Sequence, residues 1–222
     1  MVKIVIGIVF FILVVYLLSW MFSNNTTLSD YSDATVATVI PATSISNPSS
    51  VNYSFSIWVY ISDWAVNYNK PKVIFSRDKM KPMVMLGATE NTLTTSITLA
   101  NSSTATCQVP NIPIQKWTNI IITVNNKALD TYVNGKLVKT CVLDEVAMVP
   151  TAENAAVNLT PGGGFAGFTS RFKYWAESIN PQEAWNVYRW GPGGNWFTNF
   201  FGLYKLQLNF LKGNETKASI TI

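Results

Sequence analysis

Tyr53-Ser-Phe-Ser-Ile-Trp-Val-Tyr-Ile61 sets a large apolar residue at every second position. A period of two belongs to a β-strand, whose side chains point alternately to opposite faces. Tyr53, Phe55, Ile57, Val59 and Ile61 share one face, which is predicted to be core. The other face runs Ser54, Ser56, Trp58, Tyr60, polar at its start and aromatic at its end. A further element is therefore expected to pack on or near it.

Working outward, strands are predicted over 72–76, 83–86, 92–100 and 104–109, each bounded by turn residues. The clearest pattern is a meander: Lys116 to Val124, a turn at 125–127, Leu129 to Val133, Asn134-Gly135, then Lys136 to Val142. Asn134-Gly135 suits a type I′ turn, because both residues tolerate positive φ. Beyond Gly162-Gly163-Gly164 a strand is predicted over 167–175. A short helix follows over 181–189, with Asn180 as N-cap, Pro181 at the first helical position and Glu183 completing a capping box. Ala184, Trp185 and Tyr188 form its apolar face, and the glycines around Pro192 end it. The stretches 203–211 and 217–222 read as a final hairpin.

Toward the N-terminus the character changes. Ile4 to Phe22 carries no charged residue and includes Phe11, Val15 and Trp20. As a helix it would span about 28 Å, close to the ~30 Å hydrocarbon core of a bilayer. A cleaved signal peptide would be shorter and end in a small-x-small site, whereas this run ends Trp20-Met21-Phe22. Residues 1–22 are therefore predicted to be a single-pass anchor in membrane lipid. Lys3 is the flanking cation, and no Lys or Arg follows until Lys70, which orients the N-terminus to the cytosol. Residues 23–50, rich in Ser, Thr and Asn with Pro41 and Pro48, read as an extended tether, within which 35–40 has the propensity of an edge strand. Residues 51–222 form the domain.

Composition narrows the function. Charged residues make up 13% of the 222, against about 25% in a typical soluble protein. The net charge of +4 is spread without a basic run, so nucleic acid is not an expected partner. There is no histidine, which removes the commonest general base and most zinc sites. Cys107 and Cys141 are too far apart for a CxxC motif; they either bridge two strands or remain as buried thiols. Asn-x-Ser/Thr sites occur at Asn24, Asn25, Asn52, Asn101, Asn158 and Asn214, relevant only in a secretory lumen.

Four segments, YSFSIWVYI at 53–61, IFSR at 74–77, IPIQKWTNIIITV at 112–124 and LDTYVNGKLVKTCVL at 129–143, resemble the laminin-G-like, concanavalin A-like jelly-roll domain. The resemblance covers roughly residues 51–190. It implies an all-β jelly-roll sandwich with one short helix, here preceded by a single N-terminal transmembrane helix. FTSRFKYWAESINPQEAWNVYRWGPGG at 168–194 is similar to the version encoded by large icosahedral DNA viruses, including those of chlorella. That likeness implies a structural minor capsid protein of the virion, fastening the shell to the internal membrane. Its partners would be membrane lipid, the major capsid protein and other minor capsid proteins. The alternative within the same superfamily is a membrane-tethered lectin or adhesin with a glycan partner.

Glucanases of this fold carry an E-x-D-x-x-E strand motif, since two carboxylates must flank the scissile bond. No such cluster occurs here, and the adjacent Asp144 and Glu145 would point to opposite faces of a strand. No catalytic residue, cofactor or metal is expected; Asp63, Asp78 and Asp130 stand apart, whereas calcium needs six to eight convergent oxygens. For glycan stacking the candidates are Trp58, Trp64 and Trp117, with Trp185 on the helix; the competing reading places these rings in the sandwich interior.

Overall fold

The computed structural model describes residues 10, 12–14, 26–193, 207–212 and 215–221. The predicted anchor residues Ile4, Phe11, Val15, Trp20 and Phe22 lie outside these. Residues 10 and 12–14 are helical, and no helix among the described residues is long and apolar enough to cross a membrane.

Alternation in the sequence becomes two packed antiparallel sheets. The strands are β1 (Thr27–Ser29), β2 (Ser32–Asp33), β3 (Thr38–Ile40), β4 (Tyr53–Ile61), β5 (Lys72–Arg77), β6 (Met83–Leu86), β7 (Leu93–Thr98) and β8 (Thr104–Val109). They continue with β9 (Trp117–Asn125), β10 (Ala128–Val133), β11 (Lys136–Val142), β12 (Val157–Leu159) and β13 (Gly167–Trp175). The first sheet runs β1-β13-β4-β9-β10-β11, with β2 also on β13, and the second runs β3-β12-β5-β6-β7-β8. The tail strands β14 (Gln207–Lys212) and β15 (Glu215–Thr221) pair with each other in a separate two-stranded sheet among the described residues.

Tyr53, Phe55, Ile57, Val59 and Ile61 are fully buried, and the inward residues of β9, Ile120, Ile122 and Val124, join them in the core. Phe55 and Phe172 of the first sheet meet Phe75 of the second at 5.1 and 4.9 Å between ring centroids. Burying such side chains stabilises the fold by about 1.5–3 kcal/mol each.

Asn134 and Gly135 turn the chain at φ +52° and +73°. The Asn134 side chain accepts from the Asn119 backbone amide at 3.0 Å, tying the turn to β9. The two sheets are also joined covalently. Cys107 on β8 and Cys141 on β11 form a disulfide that links an edge strand of one sheet to an edge strand of the other.

The stretch read as a tether is built into the sandwich from Thr27 onward: β1 and β2 extend the first sheet and β3 the second. β3 falls within the edge strand expected over 35–40, whereas β1 and β2, polar strands of three and two residues, leave little periodicity to read and are held by backbone pairing.

Candidate ligand-binding face

The outward face of the first sheet carries polar and aromatic side chains that the core does not use, among them Ser54, Ser56, Trp58 and Tyr60. Its polar half is covered. Ser54 donates to the Glu177 carbonyl at 2.8 Å and accepts from the Ile179 amide at 3.0 Å, drawing the chain after β13 back across the sheet. The helix α1 (Pro181–Arg189) then begins on the expected capping box, with Glu183 N donating to the Asn180 side chain at 2.9 Å and Asn180 N to the Glu183 carboxylate at 2.7 Å. Ala184 packs with Ile121, Tyr132 and Ile179 in a second small core. Tyr188 stacks on Trp58 at 5.6 Å, and Trp185 lies over Gly135. Trp58 is thus a buried contact between sheet and helix, 4% exposed. Trp64 donates its indole N–H to the Ala88 carbonyl at 3.1 Å and lies 4.9 Å from the Lys72 ammonium. Trp64 is half-buried with the Lys72 ammonium over its ring, and Trp117 is half-buried beside Tyr60 and Tyr31.

Beyond the helix, Phe168, Tyr60 and Trp117 occupy facing positions on β13, β4 and β9 and form a half-buried aromatic row. Tyr31 lies against it, stacked on Phe168 at 5.3 Å and tilted to Trp117 at 6.3 Å. Tyr31 is 62% exposed, so its ring presents an open face to solvent. Tyr31 escaped sequence reading because it sits in the stretch taken for a tether, while the aromatic end of the face bearing Tyr60 was visible in the alternation.

On the other side of α1 a groove of about 330 Å³ is lined by Trp58, Trp175, Trp190, Arg171 and Lys173. Glu177 and Glu183 also border it. The pairing of β13 with β4 shifts between Ser170 and Lys173, and inside this bulge Arg171 takes the left-handed conformation at φ +48°. Its guanidinium donates to the carbonyls of Trp190 at 2.8 Å and Gly191 at 3.1 Å, closing one end of the groove. Burial holds the Lys173 ammonium below the ordinary lysine range; Arg171 adds to that depression and Asp30 opposes it.

The isolated aspartates are engaged locally. Asp63 accepts from the Ala65 amide, Asp78 pairs with Lys81 at 2.8 Å, and Asp130 accepts from Thr140. No cluster of three metal-ligating side chains occurs among the described residues.

Two antiparallel sheets packed as a jelly roll are an architecture of lectin and capsid domains alike. The chain belongs to the concanavalin A-like lectin/glucanases superfamily, whose laminin-G model matches residues 32–184. No curated protein matches it in sequence. Among solved structures it is similar to the botulinum neurotoxin serotype D ligand-binding domain in complex with N-acetylneuraminic acid, at TM-score 0.59 and 14% identity over 74% of this chain and 43% of that one. It is also similar to the receptor-binding domain of the botulinum neurotoxin C/D mosaic serotype, at TM-score 0.56 and 16% identity over 74% and 43%. The binding domain of Paraclostridial Mosquitocidal Protein 1 gives TM-score 0.57 and 12% identity over 71% and 42%. The chain spans about two-fifths of the length of these structures, and the likeness is one of fold.

Proposed function

We propose that the chain is a carbohydrate-binding module held at a membrane by its N-terminal apolar segment, with no catalytic step of its own. The observation that carries this reading is the aromatic row of Phe168, Tyr60 and Trp117 under the exposed Tyr31 ring. An aromatic face stacks on the apolar face of a pyranose, and neighbouring amide and hydroxyl groups supply hydrogen bonds. The family match and a structural neighbour solved with a sugar make glycans the first ligand class to test.

The test is a glycan array probed with the full chain in detergent, followed by titration of the best ligand. Tyr31→Ala and Trp117→Ala are expected to weaken binding about tenfold each, the worth of one good stacking contact, with thermal midpoints close to that of the parent. An array without a reproducible ligand, or binding indifferent to both substitutions, refutes the reading.

A structural role in a virion is the second reading, supported by the uncharged run Ile4–Phe22 and by the viral resemblance of residues 168–194. Here the same face would grip a capsid protein. Labelling purified particles places the protein between internal membrane and shell if this holds; recovery only from infected-cell membranes removes it.

A further inference from the structure

We infer that the groove between α1 and β13 is a separate site for an acidic saccharide, with Lys173 pairing with the sugar's carboxylate and the tryptophan-lined wall receiving its ring. Three observations converge on the groove. At about 330 Å³ it lies within the ~300–1,000 Å³ range of small-ligand sites. Trp58, held by Tyr188, lines it together with Trp175 and Trp190, the last 52% exposed.

Lys173 is the second observation. It lies opposite Ser56 on the outward face, half buried, and lines the groove. Among the described residues its ammonium donates no hydrogen bond and joins neither of the two ion pairs, Lys81–Asp78 and Lys127–Glu145. Asp30 acts on it from beyond ion-pair distance. A partly desolvated cation with unspent donors is matched by an anion that brings its own acceptor oxygens.

Third, Arg171 stands in the groove wall at positive φ, a conformation that ordinary residues avoid. Bulges of this kind re-aim a side chain next to binding sites. Because Arg171 is engaged with the Trp190 and Gly191 carbonyls, it shapes the site and adds positive potential, leaving the direct pairing to Lys173. Glu177 and Glu183 on the border are acceptors for sugar hydroxyls and disfavour a polyanion. The combination of one unpaired cation, indole surface and carboxylate acceptors fits a monoanionic sugar better than a bare phosphate or an extended anionic polymer.

The inference rests on the carbohydrate reading for the body of the ligand, and the experiment separates the two. Saturation-transfer NMR and calorimetry on the full chain in detergent would compare glucuronate, its uncharged methyl ester, glucose and inorganic phosphate. Glucuronate is expected to bind at least tenfold more tightly than the ester or glucose. Lys173→Gln should erase that preference and Lys173→Arg should retain most of it, with both variants melting near the parent. Equal binding of glucuronate and its ester, or a preference that survives Lys173→Gln, overturns the inference while leaving the carbohydrate reading intact. Phosphate competing as well as glucuronate reduces the groove to a simple anion site and overturns it too. If Lys173→Gln does not fold, the glucuronate-to-ester ratio in the parent chain still reads the charge pairing, and retention of that ratio by Lys173→Arg assigns it to position 173. Absence of binding by glucuronate, its ester and glucose overturns the inference, while the glycan array decides the carbohydrate reading separately.

Discussion

Gly135→Ala is expected to strike the domain where turn, sheet and helix meet. A Cβ built at Gly135 would sit 2.9 Å from the Tyr188 Cβ, 3.0 Å from Trp185 Cε3 and 3.1 Å from Trp185 Cα. These atoms lie close to the α1 backbone, so relief requires the helix to lift. The residue also holds φ +73°, which costs a non-glycine residue about 1–2 kcal/mol. Overpacking adds roughly 1–3 kcal/mol, for a total near 3–4 kcal/mol. For a domain of this size that lowers the thermal midpoint by about 10 °C. Gly162→Ala supplies the control, because Gly162 has a similar φ of +68° with no atom within 4 Å of the added Cβ. It carries the backbone cost alone, about 1–2 kcal/mol, and the unfolded-state effect of replacing glycine cancels between the two variants. Scanning calorimetry on both, with near-ultraviolet circular dichroism to follow the Trp58–Tyr188 stack, measures the difference. If the two midpoints fall together within about 2 °C, the helix is not seated on the turn as described.

Three further outcomes follow from the same packing. Reducing Cys107–Cys141, whose positions are separated by 34 in sequence, or replacing Cys141 with Ser, should lower stability by about 4 kcal/mol on the chain-entropy account; a denaturant midpoint unchanged by reductant contradicts it. Lys72 is fully buried and donates to the carbonyls of Asn67, Lys70 and Ala88 at 3.1, 3.3 and 2.9 Å. Lys72→Met should therefore cost about 2–3 kcal/mol in urea unfolding, through the carbonyls it leaves bare; a loss below about 0.5 kcal/mol would contradict the account. The Asp33 carboxyl is held below the ordinary aspartate range by hydrogen bonds from the Thr35 hydroxyl and amide. Its folded value lies below its unfolded one, so its stabilisation is complete above the unfolded value and disappears as pH falls through the folded one. Asp33→Asn should lose that part of the acid slope, and parallel acid-unfolding curves for parent and variant would refute it.

Which parts of this molecule are legible in its sequence depends on whether a residue's role is local. The helix from Pro181 to Arg189 with its reciprocal cap, and the turn at Asn134-Gly135, are decided by residues within four positions of each other. The same holds for β6, β8, β11 and β13, whose observed limits coincide with those read from alternation. The edge strands β1 and β2 are different, because polar segments of three and two residues become strands only when β13 offers unpaired backbone. The candidate ligand face is non-local throughout. Tyr31 reaches the aromatic row from a part of the chain far from Tyr60, Trp117 and Phe168, and Arg171 and Lys173 line the groove beside α1 at the shift in register of β13.

That division has a consequence for the tryptophans. Residue type alone ranks Trp58 and Trp117 equally as stacking surfaces, yet they occupy successive rows on the same face of one sheet. Trp58 faces Asn119 in the row that α1 covers, while Trp117 lies one row further along, opposite Tyr60 and past the helix. What distinguishes them is where α1 stops, and the chain is turned there by Gly191, at φ +72°, with the carbonyls of Trp190 and Gly191 fastened to Arg171. The strained arginine that closes the groove thus also marks the limit of the covered surface, separating the tryptophan-lined pocket from the open aromatic row on a single sheet.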